Sequence, residues 1–238
     1  MMNDNIKFGI IGAMDVEVDA IKADMEIKGS KETASMKFFE GKLKGKEVVS
    51  VQCGMGKVNA GICAQILIDI YGVTHIINTG VAGTLSKEVG IGDIVVSKDA
   101  LQHDFDVSPI GFKKAEIPYT GLNAFPADEK MRKIITDGAK DIIKDVKIKE
   151  GRICSGDQFI ADKAKKEAII SDFGGYCCEM EGAAIAQVCY LNKVPFVIIR
   201  AISDSADDNE NTENDFNKFK AEAAKRSADI VKYVIENL

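Results

Sequence analysis

The sequence predicts a layered α/β fold built on a largely parallel or mixed sheet. Three observations carry that expectation. Apolar, β-rich runs alternate with helix-period stretches along the whole chain. Many of the 21 glycines fall between those runs, where turns are needed, and prolines number only four. Apolar residues make up 46% and charged residues 29% of the 238, close to the average for soluble domains, so a sizeable core is possible. No linker, repeat or low-complexity stretch interrupts the pattern, which implies one domain over residues 1–238.

The elements follow in order. "KFGIIGA" (Lys7–Ala13) is an apolar run punctuated by glycine and reads as a buried strand. A helix follows from about Asp15, with Val18, Ile21 and Met25 at helical spacing. Met36–Gly54 partly alternates and turns near Gly45, like a hairpin. Asn59–Tyr71 reads as a helix capped by Asn59. Asp69 is its only charge, so it is buried on more than one face, in the core or against a second subunit. Thr74–Gly80 is the next buried strand, and Gly92–Val107 begins as another.

Phe125–Ile143 reads as a helix with a polar outer face, and Lys147–Ile160 as a strand running into a loop. "KAKKEAIISDFG" is a helix ending near Gly174. "YCCEMEGAAIAQVCYLN" passes from a short strand into a helix at about Gly182. Pro195–Asp204 is a strongly apolar strand with polar residues at its end. A last helix runs from about Asp215 to the C-terminus, with Phe216, Phe219, Ala223, Ile230 and Val234 as its inner stripe.

Composition narrows the function classes. Net charge is -6 and no run of Lys and Arg forms a face, which argues against nucleic-acid binding. No apolar run reaches the ~18 residues of a membrane span. The N-terminus lacks the basic start and long apolar stretch of a signal peptide. The six cysteines, Cys53, Cys63, Cys154, Cys177, Cys178 and Cys189, form no C-x-x-C pair and mostly sit in apolar runs. They read as reduced, buried thiols of a cytoplasmic protein. His75 and His103 are far apart in sequence, so no metal site is expected.

In such a sheet, sites collect where strand ends converge. The first strand leads into Gly12-Ala13-Met14-Asp15-Val16-Glu17, and the strand from Thr74 into "NTGVAGT" (Asn78–Thr84). Glu179-Met180-Glu181 precedes a helix, and Arg200-Ala201-Ile202-Ser203-Asp204 ends the last strand. "GIIGAM" is not a dinucleotide fingerprint and no P-loop occurs, so no nucleotide cofactor is expected. The first loop offers Asp15 and Glu17, acids that repel phosphate but would help a water lose a proton. Strand alternation puts Arg200, Ile202 and Asp204 on one side and Ala201 and Ser203 on the other. Each candidate also has a purely structural reading. Arg200 and Asp204 suit a strand-end ion pair. Glu181 suits the positive end of a helix dipole, and Glu17 an exposed helix surface. The residues alone leave both readings open.

Taken together, the ordered segments "GIIGAMDVEV", "GMGKVNAG", "NTGVAGTL", "GDIVVSKDALQHDFDV", "SGDQFI", "CEMEGAAIAQV" and "VPFVIIRAISDSAD" make the chain resemble the 5'-methylthioadenosine/S-adenosylhomocysteine nucleosidases, of the purine nucleoside phosphorylase and nucleosidase superfamily. The resemblance covers nearly the full chain. It implies a three-layer α/β/α fold whose twisted mixed sheet partly closes into a barrel, and a homodimer. The implied reaction is hydrolysis of the N-glycosidic bond of methylthioadenosine and S-adenosylhomocysteine, with 5'-deoxyadenosine as a further candidate substrate, without a cofactor. Cleavage leaves positive charge on the ribose and negative charge on the purine. An acid must therefore protonate the base, while a carboxylate activates water on the opposite face of the sugar.

By resemblance, Asp204 is the acid donating toward N7 of adenine and Glu17 is the base. Asp204 must then hold a proton well above the ~3.9 of a free Asp, and the apolar strand before it makes desolvation a credible cause. Glu181 would accept the ribose hydroxyls with Met180 against the sugar. Phe159 would stack on adenine, and backbone atoms of Ile160 would read its edge. Arg200 and Ser203 would support the water and the acid, and Gly83 would let backbone approach the ligand. Met14, Met55 and Phe216 would wall the alkylthio group, and the partner subunit would close the pocket with Val107, Ile110 and Pro118.

Two departures stand out: Val81 where Ser is usual, and Ile110 where an aromatic is common. The acidic stretch Asp207–Glu213 is longer than usual. The rivals are a nucleoside phosphorylase, a nucleosidase for futalosine-type or AMP substrates, and a silent nucleoside-binding protein. A phosphorylase would carry Arg in the first loop and before the glycine turn, where this chain has acids and Asn78.

Overall fold

The computed structural model describes residues 6–139, 142–144, 146–206 and 209–238, with backbone only for 209–211. Its strands are β1 (Lys7–Gly12), β2 (Glu26–Thr33), β3 (Met36–Leu43), β4 (Lys46–Gln52), β5 (His75–Thr84), β6 (Ile94–Gln102), β7 (Phe125–Pro126), β8 (Ile148–Ser155), β9 (Cys177–Glu179) and β10 (Phe196–Asp204). The helices are α1 (Asp15–Lys22), α2 (Lys57–Asp69), α3 (Glu129–Gly138), α4 (Lys163–Phe173), α5 (Gly182–Asn192) and α6 (Asn209–Asn237).

The strands form one mixed sheet, and part of it closes on itself. β5 pairs with β10, β10 with β6, β6 with β8, β8 with β9, and β9 returns to β5. This five-strand ring is the expected partial barrel. β1 lies parallel to β5 outside the ring, and β4, β3 and β2 continue from it as the open part of the sheet. Around β1 both faces of the sheet are covered. In β1, Phe8 and Ile10 face a core shared with Ile21 of α1 and Ile230 and Val234 of α6. Ile11 faces the opposite core with Cys63 and Leu67 of α2 and Ile185 of α5. A Cβ on Gly9 would sit 3.0 Å from Leu67. Burial on both faces explains why these strands read as continuous apolar runs rather than alternating ones.

Where the structure departs from the sequence expectation, local physics gives the reason. β2 gave no sequence signal: nearly all of its residues are exposed, so it has no apolar face, and pairing with β3 alone defines it. The helix expected over Phe125–Ile143 is limited to Glu129–Gly138. Asp128 caps it by accepting the Met131 N–H at 2.8 Å, and Phe125 is instead in a short strand beside β6. Lys140 and Asp141 lie outside the described residues. The last helix starts at Asn209 rather than Asp215; its first turns are polar and lack an apolar period, so no hydrophobic pattern marks them in the sequence. Asp207 and Asp208, at the head of the acidic stretch, lie outside the described residues. In its inner stripe, Ala223, Ile230 and Val234 are buried, while Phe216 and Phe219 remain partly exposed.

Asn59 does not cap α2. The helix begins at Lys57 after Gly56, whose φ of +96° suits glycine, and the Asn59 amide donates to the Met55 carbonyl at 2.9 Å. No local side chain caps the helix, because distant residues satisfy its N-terminal N–H groups. Gly56 donates to Glu181 at 2.8 Å and Lys57 to Asp157 at 2.8 Å. All six cysteines are buried free thiols. No described helix is long and apolar enough to cross a membrane.

Candidate active site

A cleft opens where β1, β5, β9 and β10 end, the kind of place where sites form in such sheets. Met14, Glu17, Met55, Gly83, Phe159, Ile160, Met180, Glu181, Ser203, Asp204 and Phe216 all line it. The structure thus brings together, around one cavity, side chains that span the chain from residue 14 to 216.

Glu17 is buried, so the exposed-helix reading of this residue is wrong. It sits three residues after Met14, the N-cap of α1, and bends back over the first turn. Its Oε2 accepts the N–H groups of Ala13 and Met14 at 2.7 and 2.9 Å, and its Oε1 that of Val81 at 3.1 Å. A Cβ on Gly80 would fall 2.6 Å from Glu17 Oε1 and 3.3 Å from Arg200 Nη1, so a side chain at this strand position would displace the Glu17 carboxylate. Burial raises the Glu17 carboxyl above its ordinary value. The Arg200 charge and the three N–H donors pull in the other direction without cancelling it.

Asp204 closes β10. The β10–β5 register slips between Ile202, opposite Ala82, and Asp204, opposite Gly83. That bulge breaks the alternation expected from the sequence and turns both Ser203 and Asp204 toward the cleft. Asp204 accepts the Ser203 hydroxyl at 2.8 Å and the Ala206 N–H at 3.0 Å. A Cβ on Gly83 would lie 2.6 Å from Asp204 Oδ1, so this glycine first of all makes room for the acid. Burial raises Asp204, and its two hydrogen bonds oppose the shift only in part.

Arg200 does not pair with Asp204, which corrects the strand-end ion-pair reading. Its guanidinium meets the carboxylate of Glu179, and both are fully buried. Arg200 also donates to Asn78 Oδ1, and Asn78 in turn donates to the Ile11 carbonyl. Glu179 further accepts the Ser155 hydroxyl and the N–H groups of Glu181 and Gly182 at the start of α5. Burial favours the neutral acid, but Arg200 and these donors outweigh it and hold Glu179 below the ordinary value. The roles of Glu179, Ser155 and Asn78 were not foreseen in the sequence. The one available signal was Arg200 itself, since an arginine in a run as apolar as "PFVIIRAIS" needs an anion beside it.

Glu181 is the N-cap residue of α5, one step before its expected place in the first turn. Its Oε1 accepts the Gly56 N–H, and burial, followed by the negative charge of Glu179, pushes it up to about 8. Phe159 is half-exposed and meets Phe216 edge-on, with ring centroids 5.6 Å apart. Val107, Ile110 and Pro118 belong to the excursion between β6 and β7 and do not line the cleft of their own chain, and Ile110 is 73% exposed.

The phosphorylase superfamily profile matches residues 7–236. A 5'-methylthioadenosine/S-adenosylhomocysteine nucleosidase of Geobacillus sp. (strain WCH70) is 40% identical over 235 residues, covering 98% of this chain and 99% of that protein. The chain belongs to this nucleosidase family of the phosphorylase superfamily. Among solved structures, the family's Neisseria meningitidis nucleosidase in complex with methylthio-immucillin-A superposes with a TM-score of 0.93 at 33% identity, covering 98% of this chain and 99% of that one. The futalosine hydrolase of Helicobacter pylori superposes with a TM-score of 0.92 at 31% identity and the same coverage.

Proposed function

We propose that this nucleosidase hydrolyses the N-glycosidic bond of 5'-methylthioadenosine and S-adenosylhomocysteine, releasing adenine and the 5-thio-substituted ribose. The observation that carries the reading is the pair of buried carboxyls on one cleft. Glu17 is hydrogen-bonded to Val81, while Asp204 lies against Gly83. Those strand positions are two residues apart on β5, so the two carboxyls enter one cleft from different points along the strand. An acid and a base held at separate places on one cavity is the arrangement an inverting hydrolysis uses. Asp204 gives its proton to N7 as the C–N bond breaks, so adenine leaves neutral. Glu17 takes a proton from the water that attacks the anomeric carbon from the opposite face. Arg200, locked to Glu179, steadies the anionic form of Glu17. Glu181 holds the ribose hydroxyls with Met180 beside them, Phe159 stacks on adenine, and backbone atoms of Ile160 read its edge. Met14, Met55 and Phe216 supply apolar contact for the alkylthio group.

The deciding experiment is adenine release across a panel of 5'-substituted adenosines, with and without inorganic phosphate. The expected result is release in phosphate-free buffer, with methylthioadenosine and S-adenosylhomocysteine preferred. A requirement for phosphate would remove Glu17 from its role. The likeness to a futalosine hydrolase supports a second reading, a nucleosidase for futalosine-type substrates, so such a nucleoside belongs in the panel.

The same reading extends to a single-domain cytoplasmic homodimer. α2 and the end of α5 expose Val58 (72%), Ile62 (43%) and Leu191 (60%), apolar area that a second subunit would cover. The partner would bring Val107, Ile110 and Pro118 to the cleft. Dilution below the dimer dissociation constant is then expected to abolish turnover, measured by light scattering alongside the assay. A fully active monomer would contradict the shared pocket.

A further inference from the structure

Just outside the cleft, a closed ring of polar contacts joins three chain segments that the proposed chemistry does not use. The Lys57 backbone N–H donates to Asp157 Oδ1 at 2.8 Å. The Asp157 N–H donates to Asp104 Oδ2 at 2.8 Å. The Lys57 ammonium returns to Asp104 Oδ1 at 2.6 Å, with both side chains less than a fifth exposed. Burial would raise Asp104, but Lys57 and the Asp157 N–H together hold it below its ordinary value, so the ring keeps its charge. Contact is close enough to restrict the backbone: a Cβ on Gly56 would lie 3.2 Å from Asp157 Oδ1.

The neighbours of this ring in the chain are the substrate contacts. Gly56, next to Lys57, gives its N–H to Glu181. Phe159 lies two residues beyond Asp157. We propose that Lys57, Asp104 and Asp157 are positioning residues, a clasp that fixes the ribose-facing Glu181 and the adenine-facing Phe159 relative to each other. Nucleoside binding depends on the clasp, and bond cleavage, which uses Glu17 and Asp204 on other elements, does not. The proposal rests on the reading of Glu181 and Phe159 given above.

The test is steady-state kinetics on methylthioadenosine with Lys57→Met and Asp157→Ala, each first checked as folded by circular dichroism. Both are expected to raise KM about tenfold while kcat stays within ~3-fold, the pattern of lost binding rather than lost chemistry. Asp157→Asn keeps an oxygen for the Lys57 N–H and is expected to restore most of the loss. If Lys57→Met does not fold, Lys57→Gln is held to the same criterion. An unchanged KM in folded Lys57 and Asp157 variants overturns the clasp, as does an Asp157→Asn enzyme no better than Asp157→Ala. Glu181→Gln and Phe159→Ala run alongside. If neither raises KM, the reading of the cleft itself fails; if both do and the clasp variants do not, only the clasp fails.

Discussion

Asp204→Asn is expected to lower kcat/KM by at least ~10²-fold, the usual scale for a positioned general acid, while adenine still binds. The amide is nearly isosteric: its oxygen can still accept the Ala206 N–H, and its NH2 can donate to the Ser203 hydroxyl, which turns to accept, so the cleft keeps its shape. What it loses is the proton for N7. Glu17→Gln is expected to cost a similar factor, because the amide oxygen can keep the Ala13 and Met14 N–H donors, though its NH2 then faces the Val81 N–H, and the side chain cannot take a proton from water. The pH profile separates the two roles. Asp204 works protonated and burial raises its pKa, so activity extends above the ordinary aspartate range and falls as pH rises through the raised value. Glu17 works ionised, so activity falls as pH drops through its own raised pKa. The residual activity of the Asp204 variant should lack the alkaline limb, and that of the Glu17 variant the acid limb. Near-normal turnover in either variant would remove that residue from the mechanism.

The second large effect is on stability. Arg200→Met leaves the Glu179 carboxylate buried without its cation, and Glu179→Gln leaves the guanidinium without its anion. Each is expected to cost about 3–5 kcal/mol in urea unfolding, the scale for breaking a buried pair by removing one partner. The double variant should recover much of that loss, since it leaves no unpaired charge. The pH dependence has a definite sign. Glu179 is held below its ordinary value in the folded protein, so its contribution is present above the unfolded value of 4.5. It is lost as pH falls through the folded value, so wild type and Arg200→Met should converge on acidification. Additive losses in the double variant would show that the two residues do not act as a pair.

These two predictions also mark what the sequence could and could not reveal. β1, β10 and the β3–β4 hairpin were legible because burial on one or both faces leaves a hydrophobic signature. β2 was not, since it is exposed and held only by its neighbour. The carboxylates at strand ends could be picked out as types, but their partners could not. Glu179 and Glu181 are two residues apart and would share a side of one continuous strand. In the structure β9 stops at Glu179 and α5 starts at Gly182, which sends one carboxylate to Arg200 and the other to the cleft. The bulge before Asp204 and the ring of Lys57, Asp104 and Asp157 depend on contacts between distant segments and leave no local pattern. The family resemblance supplied most of the cleft lining, and the fold explains why those residues meet.

The most direct test is a crystal structure with a bound transition-state mimic of the nucleoside. The account predicts a carboxyl oxygen of Asp204 about 3 Å from the position of N7, and Glu17 at a similar distance from a water on the opposite face of the sugar. Side chains of Asp204 and Glu17 on the same edge of the ring, or either one beyond reach of the reacting atoms, would contradict it.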